Sequence, residues 1–165
     1  MNLRDVDKRM LLTQLIEIVD REVAQVQAAQ RAAMDGATHE ESRPENDKDT
    51  RALESSYLAR GQARRVGELQ EVRAVLSSLE PRRFDSAHAV QSTALVALRA
   101  EEGEIEYYWL LPTAGGFQLS AGELVVTTVT LGAPLGRHLV GKDCGEAFEV
   151  QLPQGPREYV VEDVA

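Results

Sequence analysis

Two helical patterns with coiled-coil spacing flank an acid-rich stretch, and no other feature of this chain narrows its range of folds as much. Over residues 3–34, Leu12, Ile16, Val19, Val23, Val26 and Ala33 recur four, three, four, three and seven positions apart, interrupted by Gln30. Apolar residues spaced on average ~3.5 apart form a narrow stripe that is buried against one partner helix. Asp5 and Asp7 near the start suit the helix dipole, and Gly36 predicts a stop after Met34. The second pattern begins near Asp47 or Asp49, either of which can cap it, and runs through Leu79 to a stop at Glu80-Pro81. Its seam is Leu58, Leu69, Val72, Leu76 and Leu79, with Gln62 and Arg65 at the expected places nearer its start, so that half is predicted to be looser. Together the patterns predict an antiparallel coiled-coil hairpin over residues 1–80. Each arm of about 32 residues would reach roughly 45–50 Å. So long a hairpin buries too little to stand without an anchor at its base.

The stretch between the arms, residues 35–54, carries seven acidic residues (Asp35, Glu40, Glu41, Glu45, Asp47, Asp49, Glu54) against three basic ones, a net charge of −4 within a chain total of −9. Like charges crowded at an exposed end repel one another. A cationic partner or a metal ion would offset that cost, and a merely solvated loop is the alternative. No lysine- or arginine-rich block accompanies the acids, which argues against general nucleic-acid binding. No run of apolar residues approaches the ~20 of a membrane span, and the N-terminus lacks the build of a secretion signal. A single cysteine offers no disulfide framework and fits a reducing cytoplasm.

After Arg83 the periodicity changes. Helical character is expected to persist over residues 88–99, and strands are expected at Ile105–Leu111, 123–130, Ala147–Leu152 and 158–164, all rich in Val, Tyr, Thr and Ile. Turn residues separate them at 113–116, 132–134, 141–145 and 153–156. The expected architecture is α+β: the hairpin, a boundary at 80–84, and a small antiparallel β domain over 84–165. Trp109 is expected in the core of that domain. Cys144 lacks an obvious base and is expected to be a small buried apolar residue. His39, His88 and His138 have no zinc-binding spacing.

The run from Gly132 to Val164 resembles the end of the Gre transcript cleavage factors. The agreement lies in Pro134-Leu135-Gly136, Leu139, Gly141-Lys142, Gly145, Val150, Pro153, Gly155, Tyr159 and Val161. The resemblance implies that the β domain is FKBP-like and docks on RNA polymerase, with Pro134, Leu135 and Gly136 as docking candidates, while the coiled coil enters the secondary channel. It further implies that acids at the tip help hold a second Mg²⁺ in the polymerase active centre, where water attacks the RNA of a backtracked complex. Mg²⁺ prefers oxygen ligands and keeps several waters, so one or two added carboxylates suit it.

The family's tip motif is Asp-Leu-x-Glu-Asn. Glu45-Asn46 can be laid on its end, but Ser42 stands where the motif has aspartate and cannot replace it as a metal ligand. Glu41, Asp47 and Asp49 are nearby substitutes, and Pro44 breaks any helix through Ser42 and Arg43. The candidate catalytic acids are therefore Glu45, Asp47, Glu41 and Asp49, with Glu45 and Asp47 meeting the metal. Two outcomes stay open: a tip that supports cleavage, and one that occupies the channel and modulates the polymerase. Arg60, Arg64 and Arg65, with Arg21 and Arg31 alongside, are candidates for contact with the 3′ end of nascent RNA. A solvated face pairing with Glu54, Glu68 and Glu71 is the plainer alternative. The chain is not itself expected to be an enzyme or to hold a cofactor of its own, and the hairpin expects a monomer. A prolyl isomerase or chaperone module is the rival of another class. It leaves the acidic hairpin unexplained.

Overall fold

The computed structural model describes residues 2–40, 48–101 and 103–165, with side chains described outside 35–56. A 3₁₀ turn, Leu3–Asp5, precedes two long helices, α1 (Lys8–Glu40) and α2 (Lys48–Ser77). The strands β1 (Leu95–Ala100), β2 (Ile105–Leu111), β3 (Gln118–Ala121) and β4 (Leu124–Thr130) follow. A short helix α3 (Pro134–Leu139) then leads to β5 (Ala147–Leu152) and β6 (Gly155–Val164). The chain is thus α+β. It divides into two compact units, a helical one at Ile16–Ser77 and a sheet unit formed by Met1–Leu15 with Ser78–Ala165.

The start of α1 is set by Asp7, whose Oδ1 accepts from the amides of Arg9 at 2.9 Å and Met10 at 3.3 Å. That cap satisfies helix donors that would otherwise be orphaned, so the regular helix begins five residues later than the expected start at Leu3. At the other end α1 runs through Gly36 to Glu40, against the predicted stop. An interior glycine costs about 1 kcal/mol relative to alanine and does not break a helix by itself.

The buried positions of α1 also depart from the predicted seam. Leu11 and Leu15 are buried, in the part of the helix that belongs to the sheet unit, while Leu12 and Ile16 are half-buried. In the helical unit Val19, Leu69 and Leu76 are buried as the spacing predicts, Val23, Val26 and Val72 are half-buried, and Ala33 is exposed. Leu58 is 57% exposed, as expected of the looser half of the second pattern.

The sheet has the order β3-β4-β2-β1-β6-β5. Its β2–β4 pair is parallel and the other four pairs are antiparallel, so the expected purely antiparallel domain is a mixed sheet. The helix expected near residues 88–99 is replaced in its second half by β1. That strand is buried at five of its six positions, because it lies in the middle of the sheet between β2 and β6. On one face Val96, Leu98, Leu110 and Val161 pack with Leu135 and Leu139 of α3. Burying one such side chain is worth roughly 1.5–3 kcal/mol.

Trp109 projects from β2 on alternation with Leu110, is fully buried as expected, and donates its indole N–H to the Thr93 carbonyl at 3.1 Å. Thr93 sits in the left-handed region, with φ 72°, a strain of roughly 1–2 kcal/mol for a residue with a Cβ. Its carbonyl also accepts from Lys8 Nζ at 3.0 Å, its hydroxyl accepts from the Arg82 amide at 3.0 Å, and its amide donates to Leu110 O at 2.7 Å.

Lys8 donates to two further carbonyls, Arg82 O and Ala165 O, each at 2.6 Å. Gln14, two turns further along α1, exchanges two hydrogen bonds with the backbone of Ser120 at the sheet edge, at 3.0 and 3.2 Å. The first turns of α1 are therefore fixed to the sheet unit by polar contacts at both edges of a buried leucine pair, Leu11 and Leu15.

Candidate functional site

In the helical unit, α1 and α2 end on either side of residues 41–47, in the middle of the acid-rich stretch. Glu41, Glu45 and Asp47 lie outside the described residues, as do Ser42 and Pro44. Asp49 falls in the first turn of α2. Along the helices, Arg73 forks onto both oxygens of Asp20 at 2.7 and 3.4 Å, and Arg65 reaches Glu22 at 3.3 Å.

Arg64 pairs with Glu68 at 2.9 Å, one helical turn on, as the plainer sequence reading expects for that residue. Arg21 bonds the Glu17 carbonyl at 3.3 Å. Arg60 and Arg31 are exposed and make no ion pair among the described residues. Exposed pairs of this kind are worth about 0–1 kcal/mol each, so Arg64 and Arg65 can exchange a carboxylate for a phosphate at little cost.

In the sheet unit, the predicted docking triplet opens α3. Pro134 occupies its first turn, where a missing N–H costs nothing, and is exposed. Leu135 and Gly136 are buried. A Cβ on Gly136 would lie 2.0 Å from the Thr130 carbonyl oxygen, so glycine there lets the helix touch the backbone at the end of β4. Of the triplet, Pro134 alone offers surface. Sequence reading had taken 132–134 as a turn and missed the helix behind it.

A polar cluster that sequence reading also missed joins β2 to β6. Glu106 accepts from the hydroxyls of Tyr108 at 2.6 Å and Tyr159 at 3.1 Å, and from Arg157 at 3.0 Å. Burial, then the Glu106 carboxylate, raises the Tyr108 phenol well above its ordinary value, and Tyr159 is raised for the same reasons. The cluster is internally satisfied and ties β2 to β6 across the intervening β1. The period-2 pattern of the strands was its only signal in the sequence.

Cys144 is half-buried, with its thiol 3.0 Å from the Glu162 carbonyl, not the fully buried apolar residue expected. Among the described residues no three His, Cys, Asp or Glu side chains are placed to hold a metal ion. No helix of the described chain is long and apolar enough to cross a membrane.

No protein-family profile matches the chain. It is 28% identical over 120 residues to transcription elongation factor GreA of Syntrophobacter fumaroxidans, covering 73% of this chain and 71% of that protein. It is 29% identical over 99 residues to GreA of Polaromonas naphthalenivorans (58% and 59% covered) and 26% identical over 102 residues to GreA of Chlorobaculum tepidum (61% and 60% covered). The chain thus spans about three fifths of the length of the latter two. Among solved structures, GreA factor homolog 1 (Gfh1) of Thermus thermophilus aligns over 91% of this chain and 94% of its own, at 15% identity and a TM-score of 0.40. The sequence matches fall on the same family as the motifs between Gly132 and Val164, and the chain is similar to the Gre-type transcription elongation factors.

Proposed function

We propose that this chain is a regulatory partner of RNA polymerase, in which α1 and α2 form a coiled-coil hairpin that enters the secondary channel and presents the acids of residues 35–54 to the active centre. The observation that carries this reading is the placement of two helices, of 33 and 30 residues, that run into that acid-rich stretch from its two ends, in a chain similar to GreA over 120 residues. At ~1.5 Å per residue such helices measure roughly 45–50 Å, the reach a deep channel demands.

The FKBP-like sheet unit would dock on the polymerase surface, with Pro134 as the exposed member of its candidate triplet. Glu45 and Asp47, with Glu41 and Asp49 beside them, supply hard oxygen donors of the kind Mg²⁺ accepts, so the donor chemistry fits a metal held by the polymerase. That ion supplies Lewis-acid activation of water in the polymerase's own site. This chain's part is to deliver carboxylates and to steady the extruded RNA through Arg60, Arg64 and Arg65. It carries out no reaction alone. It works in the cytoplasm as a monomer.

The test is release of short RNA from stalled, backtracked complexes with and without the protein. Stimulation that disappears in Glu45→Ala/Asp47→Ala supports the reading, and stimulation that survives those changes removes the tip assignment. One sequence observation favours a second reading within the same binding mode. Ser42 occupies the place of the motif's aspartate, and a chain that binds polymerase and slows elongation without releasing RNA would be a channel-occupying modulator.

A further inference from the structure

The described sheet unit contains a cavity of about 960 Å³, lined by residues 3–9, 81–84 and Ala165. This is the upper end of the range typical of small-molecule sites, roughly 300–1,000 Å³. Its walls carry five cationic side chains, Arg4, Lys8, Arg9, Arg82 and Arg83, and two acidic ones, Asp5 and Asp7, in a chain whose net charge is −9. The cluster is assembled from two segments more than seventy residues apart, which is why no basic block is visible in the sequence.

Most of these groups are already engaged. Arg4 pairs with Asp163 at 3.0 Å, Asp7 accepts two helix amides, and Lys8 gives its ammonium hydrogens to three carbonyls. Arg82 donates to Gln91 at 3.3 Å and lies 5.3 Å over the Phe84 ring, with Lys8 4.8 Å from the same ring.

Of the cations, Arg9 and Arg83 are left. Both are exposed, both line the cavity, one from each of the two segments, and neither makes an ion pair among the described residues. Arg83 also repels the Lys8 ammonium and helps, after burial, to lower it from the ordinary lysine value to about 8. The repulsion between Arg83 and the Lys8 ammonium raises the energy of the empty cavity, and a bound anion lowers it.

We infer that this cavity is a binding site for an oligophosphate anion, gripped between Arg9 and Arg83 with Arg82 beside it. The space far exceeds one phosphate, and guanidinium groups supplied by two separate segments match a ligand with charge at two or more phosphorus centres. Asp5, which lines the cavity from the same segment as Arg9, opposes the anion and limits affinity. The ligand can be free inorganic oligophosphate or the phosphate tail of a nucleotide.

The test is calorimetric titration of the full chain with sodium pyrophosphate, without polymerase, so that its outcome is separate from the transcription reading. Sodium sulfate at matched ionic strength is the reference. Saturable one-to-one binding of pyrophosphate is expected, with Arg9→Gln and Arg83→Gln each weakening it by about tenfold. Asp5→Asn is expected to tighten it, and Arg137→Gln, on α3 and away from the cavity lining, to leave it unchanged. Circular dichroism spectra matching the parent chain show that the variants fold.

Adenosine triphosphate binding as tightly as pyrophosphate assigns recognition to the phosphates alone. Tighter binding of the nucleotide places its base in the remaining space near Phe84. If sulfate reproduces the heat, or if the Arg9 and Arg83 variants bind as the parent does, the basin is only a screened patch of charge and the inference fails.

Discussion

Gly136→Ala separates what the helix pattern expects from what the fold demands. By intrinsic propensity alone, alanine inside a helix is favoured over glycine by about 1 kcal/mol, so a reading of α3 from sequence expects a modest gain. In the structure the added Cβ would meet Thr130 O at 2.0 Å and Thr130 C at 2.9 Å, where real Cβ atoms essentially never come within 3.0 Å. The oxygen contact is therefore short by at least 1 Å, and the obstacle is backbone. Thr130 O is also held in place, since it accepts from the Ala133 amide at 3.1 Å. Either α3 moves away, pulling Leu135 and Leu139 out of their packing on the sheet, or the turn after β4 gives way. Overpacking typically costs about 1–3 kcal/mol, and withdrawing two buried leucines adds roughly as much again. A net loss of about 3 kcal/mol or more is expected. Urea unfolding followed by the fluorescence of the single tryptophan, Trp109, reads the sheet unit directly. Gly132→Ala, where a Cβ meets nothing within 4 Å, serves as the control. An unfolding midpoint for Gly136→Ala equal to or above that of the parent chain would refute the close-approach argument.

The remaining predictions concern other contacts. Lys8 has its pKa lowered to about 8 by burial and by Arg83, against ~10.4 in an unfolded chain. Between those values the unfolded state binds more protons, so this group's contribution to stability rises with pH. After allowance for its partial exposure the rise is about 1–2 kcal/mol. Lys8→Met should flatten that slope in denaturation curves taken between pH 7.5 and about 10.5. At neutral pH it should also lower stability by about 1–3 kcal/mol through the three unpaired carbonyls. The Asp20–Arg73 pair is exposed on both sides, so a double-mutant cycle should give a coupling of at most ~1 kcal/mol that shrinks in high salt. Gly67 in α2 has open space around its Cβ position, and Gly67→Ala should raise the thermal midpoint of the helical signal at 222 nm, by about 1 kcal/mol of stability at most.

The parts of the fold legible in the sequence are those whose local chemistry and tertiary setting agree. β2 and β5 fall on their predicted residues because aromatic and β-branched side chains fill them and turn residues bracket them. β1 was illegible for the opposite reason. Leu-Val-Ala-Leu-Arg-Ala is made largely of helix formers, and burial on both faces of a central strand erases the alternation that would have revealed it. α3 was hidden by its length of six residues and by Gly136, whose role depends on Thr130 rather than on its neighbours in the chain. The parallel β2–β4 pairing cannot be read from either strand alone, because strand direction is a property of the pair.

In the candidate site, the acid-rich stretch and the Gre-like motifs were visible as composition and spacing. The basic cavity was invisible because residues 4–9 and 82–83 meet only after folding.

The pairing of β1 with β6 and the bond from Lys8 to Ala165, across 157 positions of the chain, also dictate an order of events during synthesis. As the nascent polypeptide leaves the ribosome, β1 emerges with β2 available on one side and an open hydrogen-bonding edge on the other. That edge stays open until β6 has left the exit tunnel. Between the emergence of β1 and that of β6 the unit is therefore exposed to strand-swapping with a neighbouring nascent chain.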